Sequence, residues 1–428
     1  MKNVCAILLF IALSACSGDR RLCVVDENLD AMLARDVPQD ASILASSAEY
    51  SAKILTKSQQ NMLDEKFNKI FFSPWTDEVI LPEARELFIP DGHGENLHRW
   101  SFQERKKIRD NIRAQAYPSV KIKAIAIRNT MSYISPTEKP FFENIKLPGG
   151  SYPFNENIQS MIYLGMPLLI THISADKAWF YVSCYMFSGW VKADDIAYVD
   201  ESFIKSYMQN QLFISIDDDV QLVSDNCLVS VAHMGAILAG AEKGLIVPHM
   251  IENGYAGIEV CQSDSFVKKP YAFTGEHIIE ITKKLLGTKY GWGGYLNNRD
   301  CSSMTHDFMA IFGIFIPRNG NAQLTMSGYK SLKNVWNRSD FIKKNGIPFL
   351  TLVGEKGHVM LYVGTYEEKS IFLNNMWSIK RGEHRDGRYV IGKTILNTLG
   401  FGDKVENSEI MNERAHLMRN VIPNPSSK

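Results

Sequence analysis

The chain has 428 residues, 45% of them hydrophobic and 22% charged, with 47 basic and 47 acidic side chains. Such a length exceeds one ordinary core and calls for two to four domains of ~100–200 residues each. A formal net charge of zero offers no basic face for a phosphate backbone and argues against nucleic acid as the main partner.

The first residues are a targeting segment. Lys2 supplies a positive start, Val4 to Leu13 a short apolar run, and Leu13-Ser14-Ala15 small residues before Cys16. The run is too short for a membrane span. It resembles the bacterial lipobox, which implies a signal peptide over 1–15, cleavage before Cys16 and a lipid on its thiol. Ser17, where an inner-membrane retention signal would have Asp, directs the expectation to a periplasm-facing outer-membrane lipoprotein. Besides Cys16, the mature chain keeps Cys23, Cys184, Cys227, Cys261 and Cys301, spaced in no metal-binding pattern, so neither metal nor organic cofactor is expected.

Residues 16–46 are small and polar and read as a lipidated tether. From 47 to 116 the pattern is helical, interrupted by an aromatic knot, Phe71-Phe72-Ser73-Pro74-Trp75, that reads as core. From Ser119 the period changes to two, and Ala178-Trp179-Phe180-Tyr181-Val182 and Gly189-Trp190-Val191-Lys192 are the strongest strands of a small barrel over 117–199. A second set of short alternating runs over 200–268 suggests another such barrel. The third unit, 269–428, opens with an amphipathic helix from Glu276 to Leu286, followed by Gly287 and a Gly-rich aromatic loop, Tyr290-Gly291-Trp292-Gly293-Gly294.

Beyond that loop, Asp300 is a suitable N-cap, and Met304, Phe308, Ile311 and Phe312 recur at helical spacing. Cys301 is thus expected in the first turn of a buried helix, where unpaired backbone N–H groups favour thiolate and mark a candidate nucleophile. A nucleophile needs a base, and the base an orienting group. His358 opens an apolar strand after Gly357, whereas His306, five residues past Cys301 and so about 140° round the helix, should point elsewhere. His172 and His233 read as structural. A three-residue hairpin loop, Thr365-Tyr366-Glu367, would pair 358 with 374 and set Asn374 about 5 Å from His358 on the same face. A slip of two would bring Phe372 or Met376 there instead.

These motifs, Tyr290-x-Trp292-Gly293-Gly294, Asp300-Cys301-Ser302, Gly357-His358 and Asn374, resemble the NlpC/p60 family of papain-like cell-wall peptidases over about 270–400. The domain order resembles the family's larger members, with a helical cap and two SH3-like modules before the catalytic domain. The resemblance implies an α+β, papain-like catalytic domain with Cys301 as nucleophile, His358 as base and Asn374 as orienting residue. The Cys301 N–H and Tyr290 hydroxyl would steady the oxyanion. It further implies peptidoglycan stem peptides as substrate, cut between γ-linked D-glutamate and the diamino acid. Two departures stand out. Asp-Cys-Ser-Gly is here Asp300-Cys301-Ser302-Ser303. The Arg-Asp-Ser whose last two residues bind a free L-alanine amine is here Arg318-Asn319-Gly320, which removes the acid. Ser302 remains, and Tyr185 is a candidate to line the cleft. The competing expectations are a catalytically silent wall-binding lipoprotein and a papain-like acyltransferase.

Overall fold

A computed structural model describes residues 29–76, 91–147, 149–355, 357–381, 387–403 and 411–423. The signal sequence, Cys16 and Cys23 lie outside them. Among the described residues, no helix is long and apolar enough to cross a membrane.

The helical region contains Leu29–Asp36, Ala45–Ile54, Lys57–Phe71 and Phe102–Ile112. Lys57–Phe71 starts where it does because Thr56 and Gln59 form a reciprocal capping box. It buries Phe67 and Phe71. The aromatic knot is core, as read. Phe72 stacks on Trp75 with ring centroids 5.7 Å apart, Trp75 packs on Phe203 and Tyr207, and its Nε1 donates to the Ala124 carbonyl at 2.9 Å.

The tether reading fails from Leu29 onward. Leu33 and Val37, one helical turn apart, are buried. Asp36 accepts from the Thr398 hydroxyl and N–H at 2.7 and 2.8 Å, and Gln39 donates to the Leu396 carbonyl at 2.7 Å. This stretch is folded against the strand Gly387–Thr398, and its polar residues serve as hydrogen-bond partners there.

The first β-module is an antiparallel sheet in the order Ile158–Ile162, Thr130–Tyr133, Ser188–Lys192, Trp179–Ser183, Pro167–Ile173, Ile122–Ala126, Ile196–Tyr198. Trp190 is fully buried against Tyr181, ring centroids 5.3 Å apart. The next region begins with an unexpected helix, Glu201–Gln209, capped by Asp200 and burying Phe203, Ile204 and Tyr207. It continues as a five-stranded sheet ordered Ala256–Cys261, Gly244–Met250, Ile237–Ala241, Leu212–Ser215, Phe266–Lys268, with a separate hairpin of Val220–Ser224 and Cys227–Ala232.

The last region is a six-stranded antiparallel sheet in the order Tyr329–Ser331, Leu417–Asn420, Thr351–Glu355, His358–Tyr366, Lys369–Arg381, Gly387–Thr398. The two faces separate by alternation. Leu352, Val359, Leu361 and Leu373 join the cluster containing Met304 and Phe308 of the helix Cys301–Ile311. Val353, Met360, Tyr362 and Phe372 join the cluster containing Leu33 and Ile342. The helix thereby holds its first residue beside the start of the His358 strand.

Candidate active site

The Cys301 helix starts at Asp300, whose carboxylate accepts from the Ser303 N–H at 2.8 Å while the Ser303 hydroxyl accepts from the Asp300 N–H at 2.9 Å. The Gly-rich loop brings the first β-module against this turn. Gly293 and Gly294 have φ of +62° and +99°, and a Cβ would meet Ile158 Cγ2 at 2.5 Å and Met161 Cβ at 2.8 Å. Trp292 anchors the loop through an Nε1 bond to the Asn155 carbonyl at 3.0 Å. A cleft of ≈ 370 Å³ opens between the domains, walled by Gln159, Met186 and Phe187 on one side and by Trp292, Cys301, Ser302, Arg318 and Asn319 on the other.

Cys301 is 9% exposed, and the Val359 N–H is near enough to its sulfur to favour the thiolate. The expectation of a resting thiolate is corrected. Burial, reinforced by the Asp300 carboxylate, pushes the thiol up to about 12 against the opposing effects of backbone N–H groups and Arg318. A helix N-terminus contributes ~0.3–1 kcal/mol, under one pKa unit at ~1.4 kcal/mol per unit, whereas burial shifts a group by up to ~3–5 units. Burial wins. It also drives His358 down to about 3, helped by Arg414 and opposed by Asn374 and Asp300. The resting groups are a neutral thiol and a neutral imidazole. No hydrogen bond joins them, and His358 Nε2 has no partner among the described residues.

The predicted hairpin register is also corrected. The turn is a two-residue one at Glu367-Glu368, both left-handed at φ 45° and 64°, and Tyr366 pairs with Lys369. A bulge at Val363 then shifts the ladder, which ends at Leu361 opposite Leu373. Continued outward, it would set Met360, not His358, opposite Asn374. Asn374 still favours the protonated imidazole of His358, so it acts diagonally rather than directly across. Its Nδ2 donates to Asn397 Oδ1 at 3.2 Å, while its Oδ1 has no hydrogen-bond partner among the described residues. Neighbouring Asn375 is fully buried, and neither of its amide atoms has a partner among the described residues.

Tyr290 lies in the electrostatic reach of Cys301. Burial and the anionic forms of Cys301 and Asp300 hold its phenol well above the usual tyrosine range, a protonated donor beside the sulfur. Ser302 donates to Asp300 at 3.1 Å and accepts from Arg318 at 2.8 Å. Asn319 caps the helix Gly320–Thr325, its Oδ1 accepting from the Asn321 and Ala322 N–H groups at 3.0 and 3.2 Å. Gly320 backs this turn against Val359 and Ser302 with ordinary contact room for a Cβ.

Tyr185 does not line the cleft. Its hydroxyl pairs with His306 Nε2 at 3.0 Å, and its ring sits among Phe67, Phe71 and Phe315. The next two residues, Met186 and Phe187, line the cleft instead. His306 points away from Cys301, as expected, and also bonds the Ile316 carbonyl at 2.9 Å.

Sequence reasoning gave no role to the two arginines that bind the site to the β-modules. Arg318 clasps Asp300 through both terminal nitrogens, at 3.1 and 2.7 Å, and reaches Ser160 Oγ with Nε at 2.7 Å. Arg299, fully buried, holds Asp307 at 2.7 Å and forks onto Asp218 at 2.8 and 2.6 Å, while Tyr163 donates to Asp307. Asp300 and Asp218 are both held below the usual carboxylate range by these guanidinium partners, despite burial. The usable signal was Arg299-Asp300 ahead of a buried helix carrying Asp307.

A sheet packed on a helix that begins with cysteine, with histidine opening the neighbouring strand, is the papain-like α+β arrangement. Residues 287–393 match the NlpC/P60 family, 4–117 the NLPC_P60 stabilising domain (N term), and 140–192 an SH3 domain of the SH3b1 type. The chain thus carries an NlpC/P60 domain at 287–393 behind a matching N-terminal stabilising domain, with one SH3 match rather than the two expected. It superposes on a structure from Photobacterium damselae subsp. piscicida described as a novel NlpC/P60 endopeptidase, with TM-score 0.82 and 23% identity over 91% of this chain and 98% of that one. An NlpC/P60 family protein from Bacillus cereus ATCC 10987 aligns with TM-score 0.45 and 14% identity over 70% of this chain and 100% of that one. No curated protein sequence matches the chain.

Proposed function

We propose that the protein is a thiol endopeptidase of the cell wall that cuts the γ-D-glutamyl–diamino acid bond of peptidoglycan stem peptides. The carrying observation is Cys301 at the first turn of a buried helix, lining a cleft and lying beside the start of the strand whose His358 Nε2 has no partner among the described residues. Because both groups rest neutral, proton transfer accompanies attack. The Cys301 sulfur bonds the γ-carbonyl carbon as the thiol proton passes to His358 Nε2, and His358 returns it to the departing amine. Water, deprotonated by the same imidazole, then cleaves the thioester and restores the thiol. Asn374 supports the imidazolium that forms between these steps, and the Cys301 N–H and Tyr290 hydroxyl steady the oxyanion. The lipobox-like Leu13 to Cys16 supports lipidation of Cys16 and outer-membrane anchoring. Fatty-acid labelling that persists in Cys16→Ser would remove that part of the reading.

A second reading, a wall-binding protein without turnover, is favoured by the same neutral, unjoined pair. Mass spectrometry of L-Ala-γ-D-Glu-diaminopimelate peptides incubated with the protein decides between them. Peptidase action yields two fragments split after D-glutamate; the silent protein returns intact peptide.

A further inference from the structure

Trp336 stands wholly in solvent, 100% exposed, whereas the next most exposed large apolar side chain among the described residues, Leu296, shows 74%. The turn that presents it is pinned. Leu332 is fully buried and Val335 packs on the same apolar cluster. The Val335 N–H and the Arg338 Nε both donate to the Leu332 carbonyl at 3.1 Å, and Asn337 caps the helix Arg338–Asn345 on the Asp340 N–H at 3.1 Å. The segment is also basic. In a chain of zero net charge, Lys330 to Lys344 carries five basic side chains and one acid. The acids nearby, Asp340 and Glu368, are both met by Lys343, at 2.8 and 3.7 Å. The Lys333 and Lys344 ammonium groups make no ion pair or hydrogen bond among the described residues.

The position of this turn in the fold indicates what it faces. The helix Arg338–Asn345 packs over the strand Lys369–Arg381, and the helix Leu29–Asp36 over the neighbouring strand Gly387–Thr398. Leu29, Met32 and Leu33 share one apolar cluster with Leu332, Val335 and Phe341, on the sheet face opposite the Cys301 helix. The described chain thus begins on the face that carries Trp336. Cys16 lies 13 residues before Leu29, a segment that spans at most roughly 45 Å when extended. A lipid on Cys16 would hold this face within that distance of a bilayer. Resting on the lipid-anchor reading of Cys16, we propose that Lys330 to Lys344 is a docking surface for an anionic bilayer. The Trp336 indole, apolar with one N–H donor, seats at headgroup depth, and Lys333 and Lys344 meet lipid phosphates. Docked so, the protein turns the Cys301 face of its catalytic sheet away from the bilayer.

The test uses the full chain carrying Cys16→Ser, which removes the lipid and leaves the surface. It is expected to sediment with vesicles of equal parts phosphatidylglycerol and phosphatidylcholine more than with phosphatidylcholine alone. Trp336→Ser, and Lys333→Glu combined with Lys344→Glu, should each weaken that partition at least about tenfold. The apolar run from Val4 to Leu13 is common to all these proteins and cancels. Vesicles with brominated acyl chains should quench part of the tryptophan emission, and Trp336→Phe should lose that part. Equal sedimentation of parent and variants, no preference for phosphatidylglycerol, or quenching that survives Trp336→Phe overturns the proposal. So does Trp336-dependent sedimentation with lipid-free cell-wall material in place of vesicles. Fatty-acid labelling that persists in Cys16→Ser overturns the anchor reading alone, because the vesicle measurements involve no lipid on the protein.

Discussion

One short stretch, Arg299 to Asp307, borders two different environments. On one side every charged group is answered. Arg299 holds Asp307 and Asp218, Arg318 holds Asp300, and Tyr163 and Ser160 complete the set. On the other side, behind Cys301, polar atoms have no partner among the described residues: His358 Nε2 and Asn374 Oδ1. Leaving a buried polar atom unpaired costs ~1–3 kcal/mol, so the second cluster is a strained store and the first a clamp. The clamp joins catalytic domain to β-modules; the unpaired cluster is where a substrate has something to complete.

Breaking the clamp should cost the most stability. Arg299→Met leaves Asp307 and Asp218 buried without their cation, and an unfolding midpoint in urea is expected to report a loss of ~3–5 kcal/mol. A loss under ~1 kcal/mol would show the network to be ordinary surface pairing.

Breaking the other side should do the opposite. His358→Gln is expected to lower kcat/KM on stem peptides by ~10²–10⁴-fold while leaving the urea midpoint at pH 7 close to wild type. It should also change the acid dependence of stability. The folded pKa of His358 lies near 3, below its ordinary ~6.5. The unfolded chain therefore binds the proton first. The stability this histidine contributes is complete above ~6.5 and falls by up to ~1.4 kcal/mol per pH unit as pH drops toward 3. The variant should lose that slope, and an unchanged slope would remove His358 from the buried, neutral state.

The smallest effect concerns the thiols. At neutral pH the exposed Cys227 should be alkylated by iodoacetamide ahead of the buried Cys301, read by peptide mass spectrometry. Cys301 reacting first would replace the neutral pair with a resting thiolate.

How much of this was legible in the sequence follows from which interactions are local. Asp300 as cap, Cys301 in the first turn and His306 turned away all follow from helical spacing and stand. The hairpin register did not follow, because Glu367-Glu368 adopts two left-handed residues without the Asn or Gly that advertises such a turn, and the Val363 bulge is marked only by the glycine after it, Gly364, at φ 131°. Tyr185 was misplaced for a similar reason. Which of three consecutive residues, Tyr185, Met186 or Phe187, faces the cleft depends on the helical region packed behind the β-module, and that contact is long-range. The stretch from Leu29 to Val37 was read as tether with the small and polar residues on either side of it, although Leu29, Leu33 and Val37 recur every four. The thiol state was misjudged on magnitude, since burial depth is a tertiary property.

The central claim is that the unpaired cluster at Cys301 is catalytic, and a product analysis tests it most directly. N-acetyl-L-Ala-γ-D-Glu-diaminopimelate peptide is incubated with the wild-type protein and with Cys301→Ala, and the products are identified by mass. The account predicts a split between D-glutamate and diaminopimelate with the wild type and none with the variant. Intact peptide in both, or equal cleavage by both, would contradict it.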